Sequence, residues 1–168
     1  MPVTRDFRYY LRVRYSECDA QKVVFNARYG DYVGLATAEF LRAAGMHQEF
    51  FDGDLGYQLV KQTIEWRAPA RFDQILELSV SLIRLGNSSF TIGTNIRMAG
   101  QEPVLATAET VLVLIDERIM KSVRLTDRHR ESLTNGAPGG VADHAGYLAC
   151  RGGALDPLLA RLQRSCSS

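Results

Sequence analysis

Tyr29, Tyr32, Val33, Ala36, Phe40, Leu41 and Ala44 recur at helical spacing, and no proline stands between Ala27 and Ala44. A helix with one such apolar stripe must bury it against another layer. The only partner the chain offers is β-structure. Residues 57–68, 75–85, 89–98 and 104–115 are rich in β-branched and alternating apolar side chains. Gly86-Asn87 and Ala99-Gly100-Gln101 join the last three by links short enough for antiparallel hairpins. Before the helix, residues 7–15 form a fifth expected strand, with Leu11, Val13 and Tyr15 on one side and Arg12 and Arg14 on the other. Asn26 is the expected N-cap and Gly45 the expected stop. The layout is α+β: a five-stranded antiparallel sheet wrapped around one long central helix.

At 168 residues, 46% of them hydrophobic, the chain can fill one sizeable core. Residues 1–133 are the expected domain. Residues 134–168 read as a glycine-rich, flexible connector, followed by a short helix opened by Asp156-Pro157. That helix is either a frayed appendage or a contact with a partner subunit.

A net charge of +1 lacks the basic footprint of a nucleic-acid binder. No apolar run approaches a membrane span, and charges throughout residues 1–14 leave no secretory h-region. Cys18, Cys150 and Cys166 share no C-x-x-C spacing, so the expected location is the reducing cytoplasm. His47, His129 and His144 have no metal-ligand spacing, and His129 falls in a charged run expected to be a solvated face. Residues 86–90 fail the G-x-S-x-G pattern, and there is neither G-x-G-x-x-G nor a P-loop lysine. An enzyme of this sequence is expected to use no metal, no dinucleotide or other cofactor, and no catalytic serine.

Chemistry concentrates in residues 15–27, YSECDAQKVVFNA. A carboxylate on a turn, then an apolar run leading into a long helix, is a usable arrangement. The first N–H groups of that helix lack intrahelical acceptors and carry the positive end of its dipole. They can hold a carbonyl oxygen and the oxyanion formed on it. Asp19, seven residues before Asn26, is then the group that reaches the carbonyl carbon or a water beside it. The competing reading is that Asp19 only caps its turn.

The run Arg12-Val13-Arg14-Tyr15 through Asp19, Val23-Val24-Phe25 and Glu39-Phe40-Leu41-Arg42 resembles the signature of hotdog-fold acyl-CoA thioesterases. The branch it is most similar to is the 4-hydroxybenzoyl-CoA thioesterase type and its bacterial, Tol–Pal-associated relatives. The likeness continues through Thr63-Ile64-Glu65-Trp66-Arg67-Ala68-Pro69-Ala70-Arg71, Gly86-Asn87-Ser88-Ser89-Phe90, residues 108–113 and Met120-Lys121. The resemblance implies a catalytic aspartate at Asp19, a thioester-polarising backbone N–H at Asn26, and a tyrosine beside the aspartate at Tyr15. Asn26 stands where Tol–Pal-associated members usually have histidine, which keeps a backbone role and removes a side-chain one. Gly34 replaces a second carboxylate of many members and opens space near the acyl group, beside Val24 and Phe25. Gly86-Asn87-Ser88 replaces the basic cluster that grips the nucleotide in some members, leaving Ser88, Arg71 and Arg84 as candidate coenzyme A contacts.

The implied function is hydrolysis of an acyl-CoA to free acid and coenzyme A, by a homodimer pairing further into a tetramer. Two alternatives are weaker. A non-catalytic acyl-CoA or acyl-carrier-protein binding module would tolerate loss of the acid, and this chain keeps it. A hotdog hydratase pairs its aspartate with a histidine five residues on, where this chain has Val24.

Overall fold

A computed structural model describes residues 6–152. Strand β1 (Phe7–Arg12) leads through a 3-10 turn (Tyr15–Glu17) to the long helix α1 (Arg28–Ala43) and the short α2 (His47–Phe51). Four long strands follow: β2 (Leu55–Trp66), β3 (Ile75–Leu85), β4 (Ser89–Met98) and β5 (Val104–Asp116). The two-residue β6 (Lys121–Ser122), α3 (Asp127–Asn135), β7 (Val141–Asp143) and α4 (Tyr147–Gly152) complete the described chain. The sheet order is β2-β5-β4-β3-β1-β7, with β6 paired to β5. The five long strands pair antiparallel, as expected, and β7 adds a parallel edge beside β1.

The sheet curls round α1 because both surfaces present apolar side chains there. Tyr29, Tyr32, Val33, Ala36, Phe40 and Leu41 are buried against Leu76, Leu78, Val80, Ile92, Ile96, Ala106, Leu112 and Leu114. Gly45, at φ +81°, ends the helical segment in the left-handed conformation that glycine tolerates. β2 lies at one margin of the sheet and exposes Leu59 and Val60.

Four expectations need correction. β1 stops at Arg12 rather than Tyr15, and Tyr15 is 79% exposed instead of sharing the buried side of Leu11 and Val13. The chain turns there because the Glu17 carboxylate takes the Arg14 N–H at 2.8 Å. Asn26 is not an N-cap: Ala27 flanks the helix, and the Asn26 side chain makes no capping bond. The carbonyls of Phe25 and Asn26 instead accept from Arg28 and Tyr29, a turn that delays the helix by one residue.

The glycine-rich segment is docked over its described length. β7 pairs with β1, Tyr147 stacks on Tyr10, and the His144 ring meets the Tyr9 hydroxyl at 3.1 Å. The short helix expected after Pro157 lies outside the described residues. His129 is 4% exposed, not solvated, and its imidazole bridges Thr126 and Glu49.

Candidate active site

The loop between β1 and α1 is a narrow ribbon folded back on itself. Phe25 N–H donates to the Glu17 carbonyl, Cys18 bridges Val24, and Asp19 N–H donates to the Val23 carbonyl at 2.9 Å. Lys22 closes the turn at φ +62°, an uncommon conformation for a side chain with a Cβ. The Pro69-Ala70-Arg71 turn holds this ribbon from outside. Val24 N–H donates to the Ala70 carbonyl, Phe72 N–H to the Lys22 carbonyl, and Ala70 N–H to the Tyr29 hydroxyl on α1. Loop and turn thus brace one another through main-chain bonds, and the Tyr29 hydroxyl ties the turn to the helix.

Asp19 is exposed, and its Oδ1 accepts the N–H of Gln21 at 2.8 Å. The capping bond therefore exists, and it occupies one carboxylate oxygen. Asp19, Tyr15, Cys18, Ala20, Lys22 and Phe72 line an open cavity of about 400 Å³. Tyr15 meets Phe72 edge to face, with ring centroids 5.8 Å apart. The Cys18 thiol is pushed up first by burial and then by the charges of Glu17 and Asp19, so it is held as a thiol rather than a nucleophilic thiolate.

At the other end of the ribbon, the Asn26 and Ala27 N–H groups find no acceptor among the described residues. Two free donors at the positive end of α1 are suited to a polarised carbonyl oxygen. Asp19 faces Val23 across the ribbon, and Asn26 lies three residues beyond Val23. At about 3.3 Å per residue that is a separation of roughly 10 Å between backbones, room for a side chain and a carbonyl group.

The other sequence candidates divide. Phe25 is exposed beside this region, while the Val24 side chain is buried in the core and the residue contributes only main chain. Gly34 has nothing within 4 Å of where a Cβ would stand, so space is open on that face of α1. Arg71 bridges Val23 and stays at the loop. Arg84 and Ser88 do not: they lie at the Leu85 end of β3, whereas the loop bonds the chain just before Ile75, about 30 Å away along the strand. Within one subunit, these two are not brought together with Asp19.

Sequence reasoning passed over Glu17. It is 6% exposed, and its carboxylate accepts the Tyr32 hydroxyl at 2.7 Å, the Arg14 N–H, and the Arg14 guanidinium. Burial alone pushes this carboxyl up, but the Arg14 N–H, the Tyr32 hydroxyl and the Arg14 side chain outweigh it and leave it below its ordinary value. The available signals were Arg14 three residues earlier and a tyrosine on the buried stripe of α1.

A single long helix wrapped by an antiparallel sheet, with a carboxylate loop feeding the helix start, is the hotdog arrangement. The chain belongs to the Thioesterase-like superfamily, whose family model matches residues 13–133. The acyl-CoA thioester hydrolase YbgC of Escherichia coli O6:H1 is 31% identical over 116 residues, covering 68% of this chain and 86% of that one. The long-chain acyl-CoA thioesterase FadM of Escherichia coli K12 is 26% identical over 123 residues, covering 73% and 93%. The crystal structure of a hypothetical protein from Aquifex aeolicus superposes with a TM-score of 0.70 at 27% identity, covering 76% of this chain and 99% of that one. Among the described residues no helix is long and apolar enough to cross a membrane, and no cluster of metal-ligating side chains occurs.

Proposed function

We propose that this protein is an acyl-CoA thioesterase in which Asp19 is the reacting carboxylate. The observation that carries the reading is the ribbon of residues 17–25, which presents Asp19 at one end and the unpaired Asn26 and Ala27 N–H groups at the other. Relatives whose names record acyl-CoA thioester hydrolysis support the substrate class. The thioester oxygen lies against the Asn26 N–H, which stabilises the negative charge that grows on it. Asp19 then follows one of two routes. It attacks the carbonyl carbon, breaking the C–S bond to give coenzyme A thiolate and an anhydride that water hydrolyses. Alternatively it takes the proton of an attacking water and passes it to the departing sulfur. Tyr15, Phe25 and Phe72 flank the reacting group, and the space at Gly34 takes part of the acyl chain.

The functional unit in this reading is a homodimer, and the dimers pair into a tetramer. The β2 margin supports it, since an exposed sheet edge bearing Leu59 and Val60 invites pairing with a second copy. The Cys18 and Cys150 thiols are free, which suits the cytoplasm, the location we assign. The test is hydrolysis of a panel of short, medium, long and aromatic acyl-CoAs, followed by a thiol-reactive chromophore. Release of coenzyme A from at least one class supports the reading. No release from any, by folded protein, refutes it.

A further inference from the structure

Resting on that reading, we infer that Glu17 is the positioning residue of the site: through Tyr32 and Arg14 it fixes the ribbon that aims both Asp19 and the Asn26 N–H. No other Asp or Glu is buried among the described residues. Its two kinds of oxygen hold two different parts of the machinery. The main-chain carbonyl takes Phe25 N–H at 2.9 Å, one residue before the proposed oxyanion donor. The carboxylate takes the Tyr32 hydroxyl at 2.7 Å, which fastens the ribbon to the first turns of α1. The same carboxylate takes Arg14 N–H at 2.8 Å and Arg14 Nε at 2.8 Å, which fixes the point where β1 bends into the loop.

Asp19 itself has no such support, being exposed and bonded by side chain only to the Gln21 N–H within its own turn. Its main chain bonds Val23 across the ribbon, and the Glu17 carboxylate, two residues earlier, ties that ribbon directly to α1. A buried carboxylate without its donors is costly, so these bonds hold as a set. Reactions of bound groups are sensitive to displacements on the order of 1 Å, and a slackened ribbon supplies such a displacement. The Glu17 carboxylate takes no part in the chemistry: its acceptor oxygens are committed to Tyr32 and Arg14.

The experiment is a double-mutant cycle on the full-length protein, with the best acyl-CoA from the panel as substrate. Glu17→Gln is expected to lower kcat about 10- to 100-fold with KM within about threefold. Tyr32→Phe, which spares the Arg14 bonds, is expected to give a smaller loss of the same kind. In an Asp19→Asn background, Glu17→Gln is expected to cost several-fold less than it costs wild-type protein, because only the Asn26 N–H is left to position. Full additivity of the two losses, or an unchanged kcat in folded Glu17→Gln protein, overturns the inference. If Glu17→Gln does not fold, Tyr32→Phe in both backgrounds decides by the same criterion. Failure of the thioesterase reading looks different, since wild-type protein would then release no coenzyme A.

Discussion

The His129 imidazole lies between the Thr126 N–H at 3.2 Å and the Glu49 carboxylate, joining α3 to α2 across 80 residues of sequence. Because Nδ1 accepts from a backbone N–H, the proton resides on Nε2 and is donated to Glu49. The His129 N–H in turn donates to the Thr126 hydroxyl oxygen, completing a reciprocal cap on α3. His129→Ala is expected to destabilise the fold by about 1–3 kcal/mol, the cost of leaving buried partners unmatched. Urea unfolding measures it, and thioesterase activity per folded molecule is expected to stay within about twofold.

The Glu17 carboxyl titrates below its ordinary value of 4.5 in the folded state. The stability it contributes is thus fully present above that ordinary value. It is lost as the pH falls through the lower, folded value, because the unfolded chain takes up the proton first. Melting temperatures from pH 7 down to pH 3 are expected to fall less steeply at the acid end for Glu17→Gln than for wild type. Parallel curves would mean that the carboxylate is no better held folded than unfolded.

At Gly34 the helix carries its poorest former other than proline, in open space. Gly34→Ala is expected to raise stability by about 1 kcal/mol, read from the urea midpoint at constant slope. Gly34→Phe is expected to lower kcat/KM for the bulkiest acyl-CoA in the panel at least about tenfold while sparing the shortest. An equal effect on all chain lengths would place Gly34 outside the acyl path.

Asn26 separates main chain from side chain. Since its amide caps nothing, Asn26→Ala is expected to change stability by no more than about 0.5 kcal/mol and kcat by no more than a few-fold. Asn26→Pro removes the N–H itself and is expected to lower kcat about 100- to 1000-fold. Circular dichroism must show α1 intact, because proline also restricts Phe25 before it. Equal and severe losses in both variants would move the role to the side-chain amide.

β3 and β4 run over the residues their alternation predicts, because each is set by tight links and pairs with its sequence neighbour. The loop was legible as a segment but not in its wiring. Residue types and spacing single out Asp19 and Asn26, whereas Glu17 gains its importance only once α1 folds back and sets Tyr32 upon it. The same holds for His129, whose partner Glu49 is remote in sequence. The helix start was misplaced because Asn26 has the right side chain for a cap while its main chain is used in a turn. Arg84 and Ser88 were grouped with the site by resemblance, and within one subunit strand length separates them from Asp19.

The central claim is that Asp19 does chemistry and does not merely hold its turn. Asp19→Asn distinguishes the two, since an asparagine oxygen still accepts the Gln21 N–H and keeps the turn bonded. Steady-state hydrolysis by Asp19→Asn and wild-type protein, each normalised to folded molecules, is therefore the decisive measurement. The account predicts a fall in kcat of about 100-fold or more, with an unchanged melting temperature and undiminished binding of a non-hydrolysable acyl-CoA. A kcat within a few-fold of wild type would contradict it and leave Asp19 as a turn cap alone.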